Sequence, residues 1–213
     1  MTSSTTTTKS AQFLQEIQVR RSHYQLAKTP ALLSDSQLEH LVQQVAKHSP
    51  TSFNSQSSRL VLLLGTDHTH LWSQTVPQAL EEHISDPASL ERNLNRLKGF
   101  ADAAGTVLFF ESEKIVDELK SRTPQYAPLF REFSDHASGM AQIHLWTALS
   151  LEGYGANLQH YKQANELILK KYHLPSDWRL TAQLVFGVPQ GEPKVKDFVP
   201  DEERVRKFGC STA

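Results

Sequence analysis

The chain has 213 residues, 38% of them hydrophobic, and a formal net charge of −1. That is enough apolar content for one sizeable core, and near-neutrality removes any global electrostatic case for nucleic acid or an anionic membrane. A single cysteine, Cys210, forms no internal disulfide, no apolar run approaches the roughly 18–20 residues of a membrane span, and the Ser/Thr-rich start lacks the apolar centre of a secretory signal.

In chain order, residues 1–10 are expected to be a disordered tail, residues 11–209 a single domain and residues 210–213 a short C-terminal tail. Phe13, Leu14, Ile17 and Val19 predict a first helix over about Lys9–Val19. It runs into Arg20-Arg21-Ser22. Two guanidinium forks and a hydroxyl suit phosphate oxygens; the same residues also suit a solvated helix end with dipole-favoured cations. Ser34 or Asp35 can cap a second helix to His48, with Leu38, Leu41, Val42 and Val45 on its apolar face. Pro50 disfavours helical geometry at Ser49 and ends it.

The stretch Ser49–Arg59 is dominated by Ser, Thr, Asn and Gln. Such side chains offer donors and acceptors without a fixed charge, which suits the edge of a polar heterocycle; an ordinary polar connection has the same composition. Leu60–Gly65 follows as a strand expected to be buried on both faces. A helix capped by Asp67 is expected to break near Pro77, and another covers Pro87–Ala103. Gly105–Glu111 is the second strand and Glu113–Leu119 a short helix. The longest helical pattern, Phe133–Tyr154, is apolar around much of its circumference, so it is expected in the centre or in a subunit interface. Gly153–Gln159 ends it, a helix over Tyr161–Tyr172 follows, and Trp178–Pro189 is the third strand. The class is α+β, with a mixed sheet flanked by helices.

Three segments, in this order and spacing, resemble the nitroreductase family: Arg20-Arg21-Ser22, Pro50–Gln56 before a strand, and Gly153–Leu158 after a long helix. The chain is most similar to its short subgroup, the fungal "fatty acid repression mutant" proteins and related bacterial enzymes, over about Ala11–Gly209. Thr51 and Ser57 stand where the commoner family pattern has Ser and Pro. The resemblance implies a homodimer with FMN at the subunit interface. It implies that Arg20, Arg21 and Ser22 lie near the FMN phosphate and the pyrimidine edge. Ser52, Phe53, Asn54 and Gln56 would approach the flavin, some from the partner subunit, and the backbone of Ala156, Asn157 and Leu158 would face the ring. Gln142 and Gln159 are further carry-overs. Arg206, with Arg204 or Lys207 as a companion, would close on the phosphate from the C-terminal end.

The implied activity is transfer of reducing equivalents from NADH or NADPH to nitroaromatics or quinones, in ping-pong order, by a cytoplasmic or nuclear protein. The flavin carries such chemistry, so no acid/base dyad or nucleophile is required. Two other readings stay open: a flavin-binding stress or lipid-signalling sensor with little turnover, and a structural dimer without cofactor. His68-Thr69-His70 is the nearest approach to a metal motif, yet histidines at i and i+2 do not share a helical face. Trp72 and Trp146 are expected to be packing residues; an aromatic lid over the flavin is the alternative, for which Phe53 or Tyr126 is equally eligible. Gly153-Tyr154-Gly155 follows a helix rather than a strand and is no dinucleotide fingerprint.

Overall fold

The computed structural model describes residues 8–209; the tail expectations for residues 1–7 and 210–213 lie outside that range. Three strands carry the sheet: β2 (Ser58–Leu64), β3 (Gly105–Ser112) and β5 (Trp178–Pro189). β2 pairs antiparallel with β3 from Ser58↔Glu111 to Leu64↔Gly105. β3 pairs antiparallel with β5 from Gly105↔Phe186 to Ser112↔Trp178. The other edge of β5 receives β4 (Gly155–Gln159) and the two-residue β1 (Leu26–Ala27), both antiparallel. One parallel bridge, Ser22↔Ala156, makes the sheet mixed.

Every residue of the central strand β3 is buried. A continuous apolar run is what a strand covered on both faces requires, and its alternate side chains feed two cores. Val107 and Phe109 join Ala182, Leu184 and Phe186 beneath α2 (Asp35–His48) and α7 (Phe130–Leu151). Leu108 and Phe110 join Leu180 and Val185 beneath α3 (Gly65–His70), α4 (Val76–His83), α5 (Pro87–Ala101) and α8 (Asn165–Lys171). Each large side chain so buried contributes about 1.5–3 kcal/mol of apolar transfer. The remaining helices are α1 (Lys9–Val19), α6 (Glu113–Arg122) and α9 (Asp201–Arg204).

Three expectations change, and α7 is more one-sided than its apolar circumference implied. β2 is an edge strand, so only Leu63 of its Leu-rich run is fully buried. The helix containing Pro77 does not break there: α3 continues through a π turn, Leu71–Thr75, into α4, with the proline in the first turn after the π turn. That position tolerates a residue lacking an N–H. α7 buries one face (Ser134, Ala137, Ser138, Ala141, Leu145 and Leu149) and leaves Met140, Ile143 and Leu151 exposed on another. Finally, Gly155–Gln159 is a strand.

Candidate functional site

Two polar clusters are built by different parts of the fold. The first begins where α1 ends at Arg20, whose backbone turns extended. The chain then runs beside β4. Ser22 bridges Ala156, His23 N–H donates to the Ala156 carbonyl at 2.9 Å, and Asn157 Nδ2 donates back to the His23 carbonyl at 2.8 Å. Gln159 Nε2 completes the row on Asn157 Oδ1 at 2.7 Å. This close approach explains Gly155, where a Cβ would stand 2.9 Å from His23 Cβ. The strand went unforeseen because its partners, residues 22–23 and β5, are remote in sequence.

The Arg20 guanidinium lies 4.6 Å over the Trp146 ring of α7, an arrangement that fixes a cation's position. Its Nε is buried without a hydrogen-bond partner, as is His23 Nδ1. Burial, aided by the charge on Arg21, holds the Arg20 pKa below its ordinary value. Partly desolvated positive charge next to a second guanidinium is a setting that a bound anion relieves. Arg21 Nη2 donates to the Lys194 carbonyl, and a cleft of about 240 Å³ opens between residues 22–25 and residues 191–194. The Ser22 hydroxyl makes no hydrogen bond within the described residues.

The second cluster is the loop before β2. Phe53, Asn54 and Gln56 all adopt left-handed backbone, with φ of 56°, 49° and 52°. For non-glycine residues this costs on the order of 1–3 kcal/mol each and persists only under restraint. The restraints are identifiable. Thr51 Oγ1 accepts the Gln56 N–H at 2.9 Å, and Arg59 Nη1 donates to the Gln56 carbonyl at 2.6 Å. The Phe53 ring packs 5.6 Å from Phe130 and 6.1 Å from Tyr126, centroid to centroid, while remaining 60% exposed. The side chains of Ser52, Asn54 and Gln56 make no hydrogen bond within the described residues, so their hydroxyl and amides are available to a ligand.

The clusters lie at opposite ends of one sheet. The loop enters β2 at Ser58, opposite Glu111; Ala156 sits beside Phe186, which pairs with Gly105 at the far end of β3. At about 3.3 Å per residue the two ends are roughly 20 Å apart.

The other expected residues are dispersed. Gln142 Nε2 donates to Ser138 Oγ at 2.9 Å, and Ser138 pairs with Thr181 at 2.7 Å, placing Gln142 on the sheet-facing side of α7. Leu158 is half-buried on β4, and Asn157 spends its amide on His23 and Gln159. Arg204 and Arg206 are exposed and bond neither cluster among the described residues. Sequence reasoning gave Trp146 only packing or a lid over the flavin, and it missed His23 and Glu111 as site residues. Glu111 had a legible signal, an acid at the end of a strand expected to be buried; Trp146 and His23 had none, since sequence separation hides a cation–π pair.

Of the two histidines nearest to a metal motif, His68 is a core residue. Its Nδ1 lies 2.9 Å from Thr106 Oγ1, which also accepts the Trp72 indole N–H at 2.8 Å. Nε2 is buried without a hydrogen-bond partner, and the backbone of Phe100, Ala101 and Ala103 lies near the ring. Burial foremost, then Lys28, lowers its pKa to about 4.

The model of the nitroreductase family matches residues 17–188. The chain belongs to the nitroreductase family. HBN1 of Saccharomyces cerevisiae is 35% identical over 196 residues, spanning 92% of this chain and 97% of its own. The nitroreductase FRM2 of the same yeast is 34% identical over 191 residues, 88% and 93% of the two chains. Among solved structures, nitroreductase CinD from Lactococcus lactis in complex with nicotinic acid superposes with a TM-score of 0.84 at 34% identity, covering 92% of this chain and all of its own. CinD has also been solved with 4-nitrophenol. A nitroreductase with bound FMN from Desulfitobacterium hafniense shares the fold at 17% identity and a TM-score of 0.67, over 92% of this chain and 97% of its own.

A nitroreductase-family flavin site needs cations for a phosphate and uncharged donors for a heterocycle edge. The chain carries both sets: Arg20, Arg21 and Ser22 at one end of the sheet, Ser52, Asn54 and Gln56 at the other. The unpartnered Arg20 Nε and His23 Nδ1 add buried polar atoms that a ligand could satisfy. The residues present therefore fit FMN.

Proposed function

We propose that this nitroreductase-family protein is a homodimeric FMN-dependent oxidoreductase that uses NADH or NADPH to reduce nitroaromatics or quinones. The observation that carries this reading is the separation of the two clusters along one sheet. Clusters that enter the sheet at opposite ends meet on one flavin most directly across a two-fold axis, which brings the loop of one protomer to the arginines of its partner. Exposed apolar side chains favour the same assembly: Phe13, Leu14 and Ile17 on α1, and Met140, Ile143 and Leu151 on α7. Exposed patches of that kind mark interaction surfaces.

FMN, when bound, supplies the two-electron carrier between donor and acceptor. Arg20 and Arg21 hold its phosphate, Arg20 pre-positioned by Trp146, and Ser22 adds a short donor. Arg204 and Arg206 lie on a segment that closes over the phosphate on assembly. Asn54, Gln56 and Ser52 orient the heterocycle without adding charge, and Phe53 shields it from water; Gln142 supports the ring from α7 through Ser138. The backbone of Ala156, Asn157 and Leu158 forms the wall on the arginine side, held straight by the Asn157–His23 and Gln159–Asn157 bonds. A nicotinamide donor and a nitroaromatic acceptor are supported by CinD, which has been solved with nicotinic acid and with 4-nitrophenol.

An absorbance spectrum of the purified protein, taken before and after adding NADH without oxygen, tests the reading. Visible flavin bands that bleach and then recover with a nitroaromatic are expected. Protein that stays colourless after incubation with FMN overturns the proposal, and bands that bleach with NADH or NADPH yet recover with no acceptor favour a sensing role.

A further inference from the structure

Among the described residues, Glu111 is the one fully buried acidic side chain, and nothing in the flavin reading uses it. It sits near the end of β3, opposite Ser58. Each carboxylate oxygen accepts one hydroxyl: Oε2 takes Ser57 Oγ and Oε1 takes Ser58 Oγ, both at 2.6 Å. The Ser112 N–H donates to the Ser57 carbonyl at 2.9 Å, so main chain and side chain tie the same two residues to the sheet. Ser55 Oγ donates on to Ser57 at 3.3 Å and carries the restraint into the loop. Arg179, the nearest cation, is itself engaged by Glu113, Asp135 and Ser134 on the α6 and α7 side.

The location matters more than the bonds. Ser57 and Ser58 are the junction where the loop, with Phe53, Asn54 and Gln56 left-handed, becomes regular strand. A single serine bonded to an exposed group would leave that junction free to pivot. A bidentate buried partner fixes two consecutive residues at once, through two hydrogen bonds of 2.6 Å. A loop held in its ligand-ready form before the ligand arrives loses less entropy on binding.

We propose that Glu111 is the positioning residue of the flavin loop, a two-pronged clamp on Ser57 and Ser58 that keeps residues 51–56, with Phe53, Asn54 and Gln56 left-handed, in their present conformation in the flavin-free protein. The inference rests on the FMN reading for its functional consequence; the clamp itself does not. Glu111 touches no cofactor and acts only through the two serines.

The test compares wild type, Glu111→Ala and Glu111→Gln as full chains, with two readouts: amide hydrogen exchange of residues 51–57 in flavin-free protein, and FMN affinity by fluorescence titration. Glu111→Ala should speed exchange of the loop amides at least about tenfold, leave β3 and β5 protected, and weaken FMN about 10- to 100-fold. Glu111→Gln can still accept from one serine and donate to the other, so it should recover most of both losses. A lower Tm with loop exchange and FMN affinity unchanged would make Glu111 merely structural and overturn the clamp. Should Glu111→Ala not fold, Ser57→Ala and Ser58→Ala each remove one prong; wild-type loop exchange in both would equally overturn it. Failure of the flavin reading looks different: wild type binds no FMN, yet Glu111→Ala still frees the loop.

Discussion

The two halves of the candidate site hang on the same sheet and are secured by opposite means. At the Gly105 end, Arg20–His23 is held by main-chain bonds to β4 and by a cation stacked on Trp146, and its chemistry is positive charge. At the Glu111 end, the loop of residues 51–57 is strained, carries no charge of its own and is restrained by serine, threonine and arginine side chains bonding inward. A charged half-site tolerates a plain backbone because long-range attraction does the binding. A neutral half-site has only directional hydrogen bonds, which pay back nothing unless the donors are already aimed. The strain at Phe53, Asn54 and Gln56 is the cost of aiming them.

The largest expected effect separates the two ends by pH. His68 lies beneath the Gly105 end, bonded to Thr106, with a folded pKa of about 4 against an ordinary 6.5. A base whose pKa falls on folding stabilises the fold above its unfolded pKa, and that stability is lost as pH drops from about 6.5 to 4. The loss approaches about 3 kcal/mol once both states are protonated. Glu111 has the reverse sign. Burial raises its carboxyl pKa despite the Ser57 and Ser58 hydrogen bonds and the nearby Arg179, with Asp135 adding to the rise. Its contribution is therefore full below the unfolded carboxylate pKa and lost as pH climbs through the folded one. Urea unfolding from pH 7 to 4 should show the His68-linked decline, and His68→Gln should flatten it; an unchanged slope in that variant would remove His68 as the source.

Next comes charge. Arg20→Ala should weaken FMN about 10- to 100-fold, the equivalent of one charge-assisted hydrogen bond of roughly 1.5–3 kcal/mol, and should reduce the salt dependence of binding. Asn54→Ala should leave that salt dependence at the wild-type value and slow flavin reduction by NADH instead. Equal salt slopes in wild type and Arg20→Ala would take Arg20 off the phosphate.

The smallest effect probes the loop alone. Thr51→Ala deletes the acceptor of the Gln56 N–H, a neutral hydrogen bond of about 1 kcal/mol. Exchange of the Gln56 amide should rise about fivefold, with the arginine end unaffected. Spread of that increase to residues 22–23 would show that the two halves are coupled through the sheet within one chain.

Much of this molecule was legible as sequence. Helix α2, with Ser34 capping it, and strands β3 and β5 follow from local periodicity, caps and apolar runs, which depend on neighbours in the chain. So does the polar character of both clusters, since a run of serines and amides or a pair of arginines is written directly. Long-range pairing set the rest. β4 exists because residues 22–23 and β5 flank it; β2 is an edge because nothing among the described residues pairs its outer side; Pro77 stays helical because a π turn precedes it. The sequence by itself determined that this chain folds as α+β and which residues carry polar chemistry, because those are local properties of composition and spacing. Only the tertiary structure decided that the two clusters sit at opposite ends of one sheet, that Trp146 lies under Arg20 and that Glu111 clamps the loop, because these contacts join residues dozens to more than a hundred positions apart, where no local pattern registers them.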